Sequence, residues 1–185
     1  MFSHEMLDRE IHVELIHKHY SQLIEWCRRY PEGALMLYVP THYLPKGYCK
    51  PCHNNGDSKS YFMRLRELPN PLGLHVHLAR RGEINTIPYQ MQYDAIKQGL
   101  NYLNELGIVA CDFAPGWWSF NGDTLRACAD LGLIRFHIHD WFMKDLPTEQ
   151  VPDGMTIVQV HHNSHDFMLG PSCNSASVSP ISTIT

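Results

Sequence analysis

Apolar and polar positions alternate along the chain in stretches that predict helices and strands in turn. From Asp8 to Tyr30, Val13, Ile16, Tyr20, Leu23, Ile24 and Cys27 fall at helical spacing and predict one long amphipathic helix, ended by "YPEG". "ALMLYVP" (34–40) follows as a continuous apolar run of strand length. "SKSYFMRLREL" (58–68) predicts a short helix, and "LGLHVHL" (72–78) a second strand. Tyr89, Tyr93, Ile96, Leu100 and Leu103 repeat at steps of four and three. Pro88 before them and Gly107 after them bound a helix. "IVACDF" (108–113) predicts a third strand, "DTLRACADLG" a helix opened by Asn121 or Asp123, "LIRFHIH" (133–139) a fourth strand and "MTIVQVHH" (155–162) a fifth.

Strands alternating with helices predict an α/β fold with parallel strands, open or barrel-like. In such folds ligands bind at the carboxyl ends of the strands, and the polar residues collect there. His42 follows the first predicted strand, His75 and His77 end the second, and Asp112 sits late in the third. His137, His139 and Asp140 end the fourth, and His161 and His162 the fifth. On a strand, His75 and His77 share one face, and so can share one cation. The alternative is a half-exposed face carrying two histidines. His137 reads equally as a strand end running into solvent. Of the adjacent His161 and His162, only one can face a site. "PGWWSFNG" puts Trp117 and Trp118 in a loop at the same end, where they suit the apolar faces of sugar rings or plug the barrel top.

Composition narrows the classes. The 185 residues allow one domain with a full core, expected over residues 1–169, and a Ser/Thr-rich tail over 170–185, expected to be poorly ordered. A net charge of -4 without a basic block argues against nucleic acid as a partner. No apolar run reaches membrane-spanning length, so no membrane partner is expected, and the N-terminus lacks a secretory pattern. The expected location is cytoplasmic, with oligomeric state open. Thirteen histidines are the unusual feature. "CKPCH" admits a small zinc site from Cys49, Cys52 and His53, or a turn with free thiols.

The order "LGLHVHL", "NELGI", "CDFAPGWWSFNGDTLRACADLGL", "HDW" and "VQVHH", spanning residues 34–166, resembles the polysaccharide deacetylase (NodB-homology) family. The resemblance implies a distorted or incomplete (β/α) barrel with about five parallel strands and flanking helices. It also implies a metal-dependent enzyme that removes acetyl groups from sugars. Carried over by position, His75 and His77 become metal ligands, with Asp8 or Glu5 the nearest candidate acids. The expected cation is zinc, with manganese, iron, cobalt or nickel as alternatives. His161 becomes the general acid, and Asp8 and Asp140 complete the catalytic set. Pro115, Trp117, Trp118, His139 and Trp141 line a carbohydrate groove. The sequence departs from the family pattern in three places. Its histidines are spaced H-x-H, Ala114 replaces the loop arginine, and no paired-aspartate strand end is present. "FSHEMLD" is the nearest substitute, unless a first strand is missing from the chain. These departures keep open a deacetylase-like carbohydrate-binding module without turnover. An amidohydrolase or phosphoesterase, in which H-x-H ends a barrel strand, is a further alternative.

Overall fold

The structure, a computed structural model, describes residues 3–13, 20–39, 58–80 and 82–163. Among the described residues six strands, β1 (Ser3–Val13), β2 (Ala34–Tyr38), β3 (Leu72–Val76), β4 (Asp112–Pro115), β5 (Arg135–His139) and β6 (Thr156–Asn163), form a closed barrel in chain order. Every pairing is parallel, and β1 closes the ring by pairing with both β2 and β6. The helices are α1 (Tyr20–Arg29), α2 (Ser58–Leu65), α3 (Tyr89–Glu105) and α4 (Gly122–Asp130). This is the α/β barrel expected from the strand–helix alternation.

The sixth strand corrects the sequence reading. Residues 8–13, expected to begin a helix, belong to β1, and α1 covers Tyr20–Arg29. Ile11 and Val13 alternate with Glu10 and His12, a period-two signal inside the longer helical pattern. The choice falls to tertiary pairing, because a strand here satisfies backbone groups on both neighbouring strands. "SHEMLDREIHV" is a strand, the one that closes the ring.

The third predicted strand also shifts. Gly107, at φ 70°, ends the helix before it, and residues 108–111 are a connection, so β4 starts at Asp112. Asp112 therefore lies at the entry end of its strand, not its exit.

Alternation along each strand separates two layers. Leu35, Leu37, Leu74, Val76, Phe113, Phe136, Ile138 and Ile157 join the main core with Leu23, Trp26, Phe62, Ile96, Leu103 and Leu125 from the helices. Each fully buried aliphatic chain contributes roughly 1.5–3 kcal/mol. The buried residues of α3 (Gln92, Ala95, Ile96, Gly99, Leu100, Leu103) recur at three and four, which fixes the face it lays on the barrel. Gly99 permits that approach, since a Cβ there would sit 2.9 Å from Leu74 Cδ1. Asn121 caps α4, accepting from Thr124 N at 3.0 Å, and Thr124 Oγ1 donates to Gln92 Oε1 of α3 at 2.6 Å.

The other face of the sheet lines the barrel interior. Ala34, Met36 and Ala114 form a small separate apolar cluster there. Buried polar groups fill the remainder, and they lead to the site.

Candidate active site

Glu10, Asp112, His75, His77, His137 and His139 are all buried. They fall into three groups along and above the barrel interior.

The lowest group spans the barrel. His137 Nδ1 lies 2.6 Å from Glu10 Oε2 of β1, and its Nε2 lies 2.7 Å from Asp112 Oδ1 of β4. Arg135 Nε adds a fourth charge, 3.2 Å from the same Asp112 oxygen. A neutral imidazole carries one N–H, whereas two carboxylates face this ring, so the geometry calls for the imidazolium. Burial opposes that charge, but the Glu10 charge, the ring's hydrogen bonds to both carboxylates and the Asp112 charge outweigh it and raise the pKa to about 9. His137 is therefore an internal cation and not a strand end in solvent. Sequence patterning gave no reason to single out Glu10, which lies 127 residues from its partner.

The second group is the H-x-H pair. His75 is the fourth residue of β3 and His77 follows its last, and their Nε2 atoms meet at 2.9 Å. His75 Nδ1 is 2.9 Å from the carbonyl of Ala114. Donating there leaves His75 Nε2 with its lone pair directed at His77, the tautomer a metal-binding histidine requires. Two nitrogens each about 2.0–2.1 Å from one tetrahedral cation stand about 3.3 Å apart, so the pair needs to open by only a few tenths of an ångström. The imidazoles fit a cation. Among the described residues no third His, Cys, Asp or Glu joins them. Tyr38 packs against His77 at 4.9 Å between ring centroids, and Trp117 at 5.5 Å. Gly116 is required beside them, because a Cβ there would fall on the His77 ring.

The third group sits at the top of β5 and β6. Asp140 approaches His139 Nδ1 through Oδ1 at 2.7 Å and His161 Nδ1 through Oδ2 at 3.5 Å. His139 Nδ1 also accepts from the Trp141 backbone N–H at 3.3 Å, capping the 3-10 turn Asp140–Asp145. While it accepts, that nitrogen has no hydrogen for Asp140, whose Oδ1 is buried without a hydrogen-bond partner among the described residues. Protonating His139 would exchange the cap for the ion pair. Trp141 is 75% exposed and lies 4.9 Å from the His139 ring.

The loop after β4 links the second and third groups. Trp117 and Trp118 both hold left-handed backbone, φ 56° and 50°, which costs roughly 1–2 kcal/mol at each non-glycine residue. The strain turns Trp117 to His77 and Trp118 to His139, 5.8 Å away. Strain of this kind persists where the surroundings enforce it, and it clusters at binding sites. Buried Pro115 is the last residue of β4, directly before this loop.

The structure thus gathers His75 with His77, and His139 with Asp140 and His161, with Trp117, Trp118 and Trp141 beside them. Asp8 and Glu5 lie on β1, Glu5 in register with Val158, but their side chains are outside those described. Cys49, Cys52, His53, His42, His165 and the tail 170–185 also lie outside the described residues. No helix among the described residues is long and apolar enough to cross a membrane.

Neither protein-family models nor curated protein sequences match this chain. Solved structures do. A carbohydrate esterase family 4 pseudoenzyme from Bacillus anthracis superposes with TM-score 0.53 at 10% identity, covering 89% of this chain and 56% of its own. A mutant of that pseudoenzyme gives TM-score 0.51 at 9% identity, covering 85% and 56%. A family 4 carbohydrate esterase from Streptomyces lividans, in complex with acetate, gives 0.47 at 10% identity, covering 86% and 78%. The chain therefore has the fold of carbohydrate esterase family 4, the polysaccharide deacetylase type, and spans a little over half the length of the first two.

Proposed function

We propose that the protein is a metal-dependent hydrolase that removes an acetyl group from a sugar or a related small amide or ester. The observation that carries this reading is the convergence of His75 Nε2 and His77 Nε2, with His75 oriented by the Ala114 carbonyl, at the rim of a parallel barrel. A divalent cation, zinc first among Zn, Mn, Fe, Co and Ni, would supply Lewis acidity towards the acyl carbonyl and the attacking water. His75 and His77 would hold it, with Asp8, or Glu5 in its place, as the acidic ligand.

The remaining roles belong to the chain. A β1 carboxylate, assigned to Asp8, accepts the proton of the water. His161 protonates the leaving nitrogen or oxygen from Nε2, while Asp140 faces its Nδ1 and orients the ring. Trp117, Trp118, Trp141, His139 and Pro115 form the groove that presents the acetylated ring, and the aromatic faces exclude water around it. The protein is read as acting without nucleic acid or membrane, in the cytoplasm.

The test is metal analysis of the purified chain beside the His75→Ala/His77→Ala double variant, with acetate release from acetylated sugars measured in parallel. About one equivalent of metal lost together with acetate release supports the reading. Equal metal content in both proteins sinks it.

A second reading is a deacetylase-like carbohydrate-binding module. It is favoured by Ala114 at the position of the family's arginine, and by two fold neighbours that are themselves a pseudoenzyme and its mutant. Oligosaccharide binding without acetate release, at full metal loading, would select it.

A further inference from the structure

Tyr38 is the last residue of β2. It follows Ala34 and Met36 on the inner face, by the two-residue period that puts both of those in the small interior cluster. Its register partner on β3 is His75, and the Val39 N–H donates to the His75 carbonyl at 3.1 Å, which holds the two strand ends side by side. The Tyr38 ring lies against both imidazoles of the pair, 5.9 Å from His75 and 4.9 Å from His77 between centroids. The residue as a whole is half-buried, yet its hydroxyl oxygen is buried. A tyrosine near a surface ordinarily does the reverse, burying its ring and leaving the polar tip in water. Here the tip is turned inwards. A buried hydroxyl is unfavourable unless a group inside the protein takes it, and a cation is such a group.

Two imidazoles alone leave a cation short of the three protein ligands that catalytic zinc sites use. Among the described residues no further His, Cys, Asp or Glu joins the pair. Tyr38 and Trp117 are the rings that pack on His77 beside His75, and of these two only the phenol carries an atom that can ligate a cation. A phenol keeps its proton near neutral pH in water, but a bound cation drives protons off the groups that ligate it.

We propose that Tyr38 is a further ligand of this cation, bound as phenolate through Oη. The O–H bond breaks, the oxygen–metal bond forms and the proton leaves to solvent, so the step balances without a co-reactant. The inference rests on the metal-dependent reading above and deepens it: an anionic phenol oxygen stands beside the two imidazole nitrogens. With the β1 acid these make four protein ligands. Water or the acyl oxygen then makes the cation five-coordinate, a state that zinc reaches during reaction.

The experiment is difference absorption spectroscopy of the metal-free full chain, titrated near neutral pH with zinc and, as a coloured probe, with ferric iron. Wild type, Tyr38→Phe and His75→Ala/His77→Ala are compared, and bound metal is measured in parallel by equilibrium dialysis. Zinc should raise the ultraviolet bands of one ionised tyrosine per bound ion, and ferric iron a phenolate-to-iron charge-transfer band in the visible. The chain has nine tyrosines, so the variant makes the assignment. Tyr38→Phe keeps the ring and its packing, loses both bands and binds zinc at least about ten-fold more weakly, a loss that even an outer hydrogen-bond partner of a ligand produces. The histidine double variant loses the bands and the metal together. Metal bound by the wild type without a tyrosinate band overturns the assignment. So does a band that survives in either variant, or an unchanged zinc affinity in Tyr38→Phe. In each of those cases a metal held by His75 and His77 still stands, and the proposed function with it. If the wild type binds no metal, the proposed function falls, and the Tyr38 ligand with it.

Discussion

Removing the His137 imidazolium tests the electrostatics of the barrel interior most directly. In the folded chain Glu10 and Asp112 hold the ring charged, with a pKa raised to about 9 from an ordinary 6.5. A group whose folded pKa is raised contributes stability that is complete below the unfolded pKa and is lost as pH climbs through the folded one. The contribution is thus full below about pH 6.5 and disappears as pH passes 9. A difference of about 2.5 units at 1.36 kcal/mol each gives about 3 kcal/mol. For a chain of this size that is about 6–12 °C in Tm. His137→Gln keeps the shape but donates to one carboxylate while turning an oxygen towards the other. Leaving a buried carboxylate unpaired costs about 3–5 kcal/mol. The assay is thermal unfolding of both proteins from pH 5.5 to 10. Other groups titrate in the alkaline range, so the wild-type minus variant difference isolates His137. The difference should shrink as pH rises through 9. A flat difference, or ring-nitrogen NMR signals of a neutral imidazole at pH 7, would refute the reasoning.

Three of the other predictions concern the rim and one the barrel interior. Gly116→Ala should displace His77 and lower metal content in metal analysis, because the new Cβ would meet the His77 ring and, at 2.6 Å, its Cα. Trp117→Gly should hold or raise Tm, through relief of roughly 1 kcal/mol of left-handed strain, and weaken sugar binding measured by titration. Gly73→Ala should destabilise the fold in denaturant titration, since its Cβ would approach Asp112 Cβ at 2.9 Å and crowd Met36. Asp140→Asn should lower kcat for acetate release more than it changes KM, because the His161 ring loses the carboxylate that orients it.

Much of this was legible in the sequence because it is local. The periods of α3, α4, β2, β3, β5 and β6, the Asn121 cap and the glycine that ends α3 follow from spacing and backbone preference alone. So does the meeting of His75 and His77, since residues two apart on a strand must share a face. The pair His139–Asp140, with Trp141, is equally local. What failed was the N-terminal segment, where helical and strand periods overlap and only pairing with β2 and β6 decides between them.

The barrel interior was not legible for a related reason. Glu10, Asp112 and His137 come from three strands far apart in the chain, and each is unremarkable among its neighbours. Their meaning is a charge balance in a closed, water-poor space, and that space exists only once β1 closes the ring. The strained left-handed tryptophans are likewise products of packing. The sequence by itself determined the elements and the short-range pairs that strand and helix periods enforce. Tertiary structure alone decided which of the polar residues became buried ions and which formed a rim, because desolvation depends on the closed fold and not on the local chain.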